Sequence, residues 1–388
     1  SIAGTWNSSF LLSLLEITEL NPLPPELDPN GFDLCPVALL GTKEGLLSAD
    51  LRLPGEVIPL VRERAAKQHG NQLLQIQRMV RAPRAEDEIN ALIEQYLTDC
   101  CSKETAEALR EDGAFYYAVR GHSGRMEMAP VLSSLHLLPE TADPSALPIA
   151  PDTPEYGLRM ASFGPNQLDH IPSVLLIGSS AQSVLMRCAA STSVPFQGIP
   201  LDGESVYMTL GEAYRTGDME TPVAAACDLL GVRVNEFDME LYRAMGVVDL
   251  HSLIRFMNLA HSTGAWQDNQ QTLLQDGTLC PAQLITCRED VYRYLLERGA
   301  SPSEAADFME SVWRGKAART GYSEAQRALL QKCKAETWFI QVCQNIGYLF
   351  PESHSAEYAV SLVHLIWYIR NKPETGAIVL EERAAYTA

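Results

Sequence analysis

The stretch Leu47-Ser48-Ala49-Asp50-Leu51-Arg52-Leu53-Pro54-Gly55-Glu56 decides how this chain is read. It carries one carboxylate, Asp50, with the hydroxyl of Ser48 two positions before it. Two Mg²⁺ ions about 3.5–4 Å apart need several carboxylate oxygens, because Mg²⁺ demands a near-octahedral oxygen shell and a hydroxyl is a poor substitute. One carboxylate beside a hydroxyl is a poor donor set for such a pair of ions.

At 388 residues and 46% hydrophobic, the chain is long enough for two or three domains with a large core. Its longest apolar helix candidate, Tyr358 to Ile369, is too short to span a bilayer, and no signal peptide is visible, so a cytoplasmic location is expected. The absence of an initiator Met implies a trimmed or excised chain and leaves room for domains upstream. The nine cysteines include no C-x-x-C pair, which fits reduced thiols rather than a disulfide framework.

The net charge of −19 is spread over the whole chain: −5 for residues 1–55, −3 for 56–113, −3 for 114–170 and −8 for 171–388. A duplex-binding protein neutralises phosphates with clustered Lys and Arg. The best basic stripe is Arg62, Arg64, Lys67, Arg78, Arg81 and Arg84, but Glu63, Glu86, Asp87 and Glu88 interleave with it, so it reads as a solvated helix face.

Residues 10–20 read as a buried helix stopped by Pro22, and Asn21 to Gly31 as a turn-rich connection. Val57 to Gln68, Glu86 to Thr98 and Lys103 to Glu111 give helical patterns that form a small helical insertion. Tyr116 to Val119, Met126 to Met128 and Gly157 to Phe163 read as strands, with a Pro-rich loop over 139–154. After Pro172 the chain reads as mostly helical. Ser301-Pro302-Ser303-Glu304 is a strong helix start, and Ala305, Phe308, Met309 and Val312 follow at helical spacing before Gly315.

Several stretches together resemble the PolC-type bacterial DNA polymerase III family. Gly4-Thr5-Trp6-Asn7-Ser8-Ser9 and Glu16-Ile17-Thr18-Glu19-Leu20-Asn21-Pro22-Leu23-Pro24-Pro25 are similar to its G-S-V-G-S-S and E-I-T-E-V-N-P-L-P-P runs. The opening stretch is similar to its P-D-I-D-L-N-F-S-G-E. Downstream, Ala260 to Trp266, Cys287 to Val291, Met309 to Lys316 and Phe350 to Tyr358 resemble successive fingers motifs. The resemblance implies an α+β fold: a polymerase-beta-like nucleotidyltransferase palm (1–55 and 114–170), an inserted helical thumb (56–113) and large, mostly helical fingers (171–388).

The same resemblance identifies what is missing. Ser48 and Asp50 fall on the first two palm aspartates, and Ala161, in Leu158 to Gln167, falls on the third. An alanine has no lone pair for a metal, so Asp50 would hold Mg²⁺ only weakly. The family's K-R-T-T-G-Q-H-P-G-G run, which cradles the triphosphate, is similar to Tyr116 to Arg125, where tyrosines replace two cations. Ser8, Ser9, Arg120, His122, Gly124 and Arg125 are the remnant of a nucleotide pocket. The family's zinc module after Pro25 is reduced to Glu26 to Pro36 with Cys35 as its one thiolate, so no zinc is expected.

Each of these residues also has a plain structural reading. Asp50 serves equally as a turn acid held by backbone N–H groups, Ser8 and Ser9 as helix caps, His122 as an exposed turn residue, and His261 and His354 as core histidines. The expected function is a catalytically inactive PolC-like protein that binds another protein, with nucleic acid weak or absent, no membrane and no cofactor beyond Mg²⁺ for any residual activity. The alternatives are a DNA polymerase or other nucleotidyltransferase with an altered metal site, and a non-catalytic nucleic-acid-binding module. An inherited palm would bring the β-carbons of Ser48, Asp50 and Ala161 to roughly 5–9 Å of one another, with strands from 114–163 against 45–53.

Overall fold

A computed structural model describes residues 2–3, 7, 9–15, 18–29, 31–36, 49–69, 73–75, 77–82, 86–110, 115, 125–130, 134–138, 159–160 and 174–387. The chain divides into two compact units, one of Ser1–Arg62 with Pro172–Ala388, the other of Glu63–Ile171. The result is a mixed α and β protein in which helices predominate.

In the larger unit three strands form a small sheet. β1 (Ile2–Ala3) runs antiparallel to β2 (Ala49–Leu53), and β2 runs parallel to β8 (Val174–Gly178), numbering strands along the whole chain. Asp50 pairs with Ala3 on one side and Leu175 on the other. Both edges of β2 are thus occupied, and the expected pairing of strands from 114–163 with 45–53 is not how β2 is satisfied.

The chain leaves β8 through Ser179, whose side chain caps the helix Ser180–Thr192. Gly55 N–H and the Glu56 carboxylate both bond Ser183 Oγ, at 2.9 and 2.7 Å, which ties the turn after β2 to that helix. Helices then follow almost without interruption to Thr387. The buried helix Glu352–Asn371 lies at their centre, with Ala356, Ala359, Leu362, Val363, Leu365 and Ile366 fully buried. Near-continuous burial explains its lack of a polar stripe. No helix among the described residues is long and apolar enough to cross a membrane.

The expected start at Ser301 is present: Ser301 N–H donates to Glu304 Oε2 at 2.8 Å and Glu304 N–H donates to Ser301 Oγ at 3.3 Å, heading the helix Pro302–Trp313. The expected buried helix over 10–20 is corrected. Among the described residues of this stretch only Phe10–Leu14 is helical, and Phe10, Leu14 and Leu15 are exposed. A five-residue helix is marginal by itself, and it is Leu20, outside it, that enters the core.

In the smaller unit, β3 (Leu73–Gln75) pairs antiparallel with β6 (Ser134–Leu137) and parallel with β7 (Arg159–Met160). β4 (Gln77–Ala82) and β5 (Arg125–Pro130) form a separate antiparallel ribbon. The helix Glu86–Cys100 buries Ile89, Ile93 and Leu97, spaced four apart, against Ala106 of the helix Lys103–Arg110. Residues 56–113 therefore carry two strands as well as helices. The basic stripe does not form one helix face: Arg62 is buried in the helix Ile58–His69, whereas Arg78 and Arg81 lie on β4.

Candidate functional site

Four widely separated motifs of the helical body converge on one cluster. The His261 ring stacks on Phe350 with centroids 4.8 Å apart and meets Tyr358 at 5.6 Å. Its Nδ1 donates to the Met257 carbonyl at 2.8 Å. Ser262 Oγ accepts from Phe350 N–H at 3.0 Å, while Thr263 and Tyr348 exchange backbone bonds of 2.9 and 3.1 Å. Trp313 O accepts from Leu349 N–H at 3.1 Å.

Gly315 allows this approach. Its φ is +65°, and a Cβ there would lie 2.2 Å from Gly347 O, so the glycine is required both as a helix stop and as a packing site. Arg288, Glu289, Arg293 and Glu352 extend the cluster inward. Arg288 Nε sits 2.9 Å from Glu289 Oε1, Glu289 Oε2 accepts from Glu352 N–H at 3.0 Å, and Arg293 Nη2 is 3.0 Å from Glu352 Oε2. Burial raises the Glu352 carboxyl to about 7 despite Arg293 beside it. Burial, helped by Arg288 and Arg52, pulls His354 down to about 4.

β2 delivers Arg52 to this cluster. Arg52 Nε is 3.1 Å from Glu357 Oε1, Nη2 donates to the Tyr358 hydroxyl at 2.9 Å, and the guanidinium lies 4.9 Å from the Tyr358 ring centroid. A cleft of about 350 Å³ opens beside it, lined by Arg52, Ser179, Gln182, His261, Glu357 and Tyr358 among others. The start of the helix Ser180–Thr192 and a fixed guanidinium give the cleft a positive side, while the Glu357 carboxylate opposes it.

The catalytic positions inferred from sequence are only partly visible. Asp50 is in β2, two residues before Arg52, Arg125 opens β5, and Ser9 lies beside the helix Phe10–Leu14, its carbonyl accepting from Ser13 N–H at 3.2 Å. Ser48, Ala161, Ser8, Arg120, His122 and Gly124 lie outside the described residues, as do Tyr116 to Val119 and the loop over 139–154. Among the described residues no three His, Cys, Asp or Glu side chains gather in a way that would hold a metal ion. Sequence reasoning missed Arg52, Ser179 and Gln182, whose roles depend on contacts with residues far along the chain.

An arginine-tethered strand beside a helix start, facing a ring-stacked helical cluster, defines a mixed α and β protein with an interior cleft. No protein-family model matches the chain. It is similar to curated proteins named PolC-type DNA polymerase III. One from Staphylococcus aureus is 24% identical over 417 residues, covering 95% of this chain and 28% of the relative. One from Thermotoga petrophila is 28% identical over 206 residues, covering 52% and 15%. One from Mycoplasma genitalium is 32% identical over 120 residues, covering 31% and 8%. The chain is thus related in sequence to PolC-type DNA polymerase III along nearly its whole length, while spanning less than a third of those relatives.

Proposed function

We propose that this chain is a catalytically inactive relative of PolC-type DNA polymerase III that works as a binding or scaffold protein. The observation that carries the reading is the presence of Ser48 and Ala161 at two of the three positions that resemble the palm aspartates. One carboxylate, Asp50, supplies too few oxygens for two divalent ions, so neither activation of a 3′-hydroxyl nor stabilisation of a leaving pyrophosphate is available. Tyr116 and Tyr117, where the family has two cations, remove positive charge on which phosphoryl transfer depends. Arg52, the cation of β2, is engaged by Glu357 and Tyr358.

The framework has not decayed with the chemistry. Capping at Ser301, the ring cluster around His261 and the Arg293–Glu352 pair are all in place. Acidic surfaces over an intact core suit protein contacts better than phosphate backbones. On this reading the chain binds neither stoichiometric Mg²⁺ nor zinc. Affinity capture from native lysate at moderate salt, with and without nuclease, tests it. A nuclease-insensitive protein partner supports the proposal, and nucleic acid as the sole captured species overturns it.

A further inference from the structure

Glu26 to Pro36 fall where the resemblance puts the family's zinc module, and Pro25, Pro29, Gly31, Phe32 and Asp33 form one wall of a groove of about 790 Å³. Pro25, Pro29 and Phe32 face Leu201 and Leu250 of the helical body across it. The wall is held by its own hydrogen bonds. Phe32 N–H donates to Asn21 O at 2.9 Å, Asp33 N–H to Leu23 O at 3.0 Å, and Leu34 N–H to Pro22 O at 3.1 Å. The Asn21 side chain closes the turn, accepting from Leu23 N–H at 3.1 Å and donating to Asp28 at 2.8 Å. A Cβ at Gly31 would lie 2.0 Å from Leu23 O, so only glycine fits this crossing. Arg293 then pins the loop to the helix Arg288–Glu297 by donating to Asp33 O at 2.5 Å. A groove already ordered in this way spares its occupant much of the entropic cost of binding.

Its charge selects the occupant. Asp33, Asp202 and Asp249 line the groove, and among the described residues no Lys or Arg does. Arg293 stands 3.9 Å from the Asp33 carboxylate and is committed to Glu352 at 3.0 Å. Asp249 caps the helix Leu250–Ala260 through Ser252, and Asp202 is exposed. His251 offsets them little, because burial and the nearby Arg255 pull it below its ordinary range and favour its uncharged form. An apolar floor under three carboxylates repels phosphate and complements an apolar segment carrying Lys or Arg.

We propose that this groove docks a basic, apolar segment of a partner protein. The proposal rests on the reading that the chain acts by binding protein, and it names the chemistry of the bound segment. The test is selection from a phage library of random 12-residue peptides on the full chain, followed by affinity measurement with a synthetic peptide of the enriched consensus. Enriched peptides should carry at least two Lys or Arg among aromatic or branched residues. The synthetic peptide should bind Asp202→Lys about tenfold more weakly than the parent, and Asp202→Asn with an intermediate loss. Circular dichroism of both variants should match the parent, since Asp202 is exposed. No enrichment, an acidic or uncharged consensus, or equal affinity for parent and Asp202→Lys would overturn the proposal. Those outcomes leave a nuclease-insensitive captured partner unexplained by this groove but intact as evidence. Polymerase activity would refute the inactive reading without altering the peptide result.

Discussion

Removing the Arg52 guanidinium should weaken the larger unit more than any surface ion pair would. Glu357 is 4% exposed and Arg52 21% exposed, and they meet at 3.1 Å. Truncating one member of a buried pair costs about 3–5 kcal/mol because the other charge stays behind. Water reaches Arg52, so for Arg52→Ala about 2–4 kcal/mol is expected once that screening is allowed for. The loss includes the bond to the Tyr358 hydroxyl at 2.9 Å. Replacing both partners by Met should cost less than the sum of Arg52→Met and Glu357→Met, with a coupling energy of about 1–2 kcal/mol. Urea unfolding followed by tryptophan fluorescence reads the right unit, since Trp6, Trp266, Trp313, Trp338 and Trp367 all belong to it. A loss for Arg52→Ala below about 0.5 kcal/mol, or coupling indistinguishable from zero, would refute the claim that Arg52 latches β2 to the 350–358 motif.

Gly315→Ala should destabilise by at least about 2 kcal/mol in the same assay, because a left-handed φ and a 2.2 Å approach to Gly347 O leave no room for a methyl group. Ser301→Ala should cost about 1 kcal/mol through loss of the bond to Glu304 N–H, and Ser301→Asp should restore most of it. Burial holds His364 down at about 4, below its ordinary 6.5, so the unfolded chain takes up that proton first. Its contribution is complete above pH 6.5 and lost as the pH falls toward 4, at most about 3 kcal/mol in all. Glu352, raised to about 7, acts in the opposite sense between 4.5 and 7. The comparison is therefore between the parent and His364→Phe, and identical pH dependence of the two would contradict the assignment.

How much was legible in the sequence depends on how local the signal is. The helix at Pro302–Trp313 follows from a cap, a proline, a capping box and apolar spacing within fifteen residues, and all of these are present. The helices Ile58–His69, Glu86–Cys100 and Lys103–Arg110 and the strand around Met126 were legible for similar reasons. Val174–Gly178 was not: a short continuous apolar run has no period to separate a buried strand from a buried helix, and only its pairing with β2 decides. The same lack of period hid the shortness of the helix at Phe10–Leu14. Leu73–Gln75 and Gln77–Ala82 were hidden inside a segment dominated by helical patterns. The ordered motifs of the helical body were legible one by one, but their meeting was not. His261 reaches Phe350, and Arg52 reaches Glu357, across sequence separations that no local pattern encodes.

Primer extension tests directly whether the chain carries out nucleotidyl transfer. Purified protein is incubated with primer–template DNA, all four deoxynucleotides and Mg²⁺ or Mn²⁺, beside an Asp50→Ala variant and a no-protein control. No incorporation above the control is expected for either protein. Metal-dependent incorporation that co-purifies with the parent chain and disappears in Asp50→Ala would contradict it.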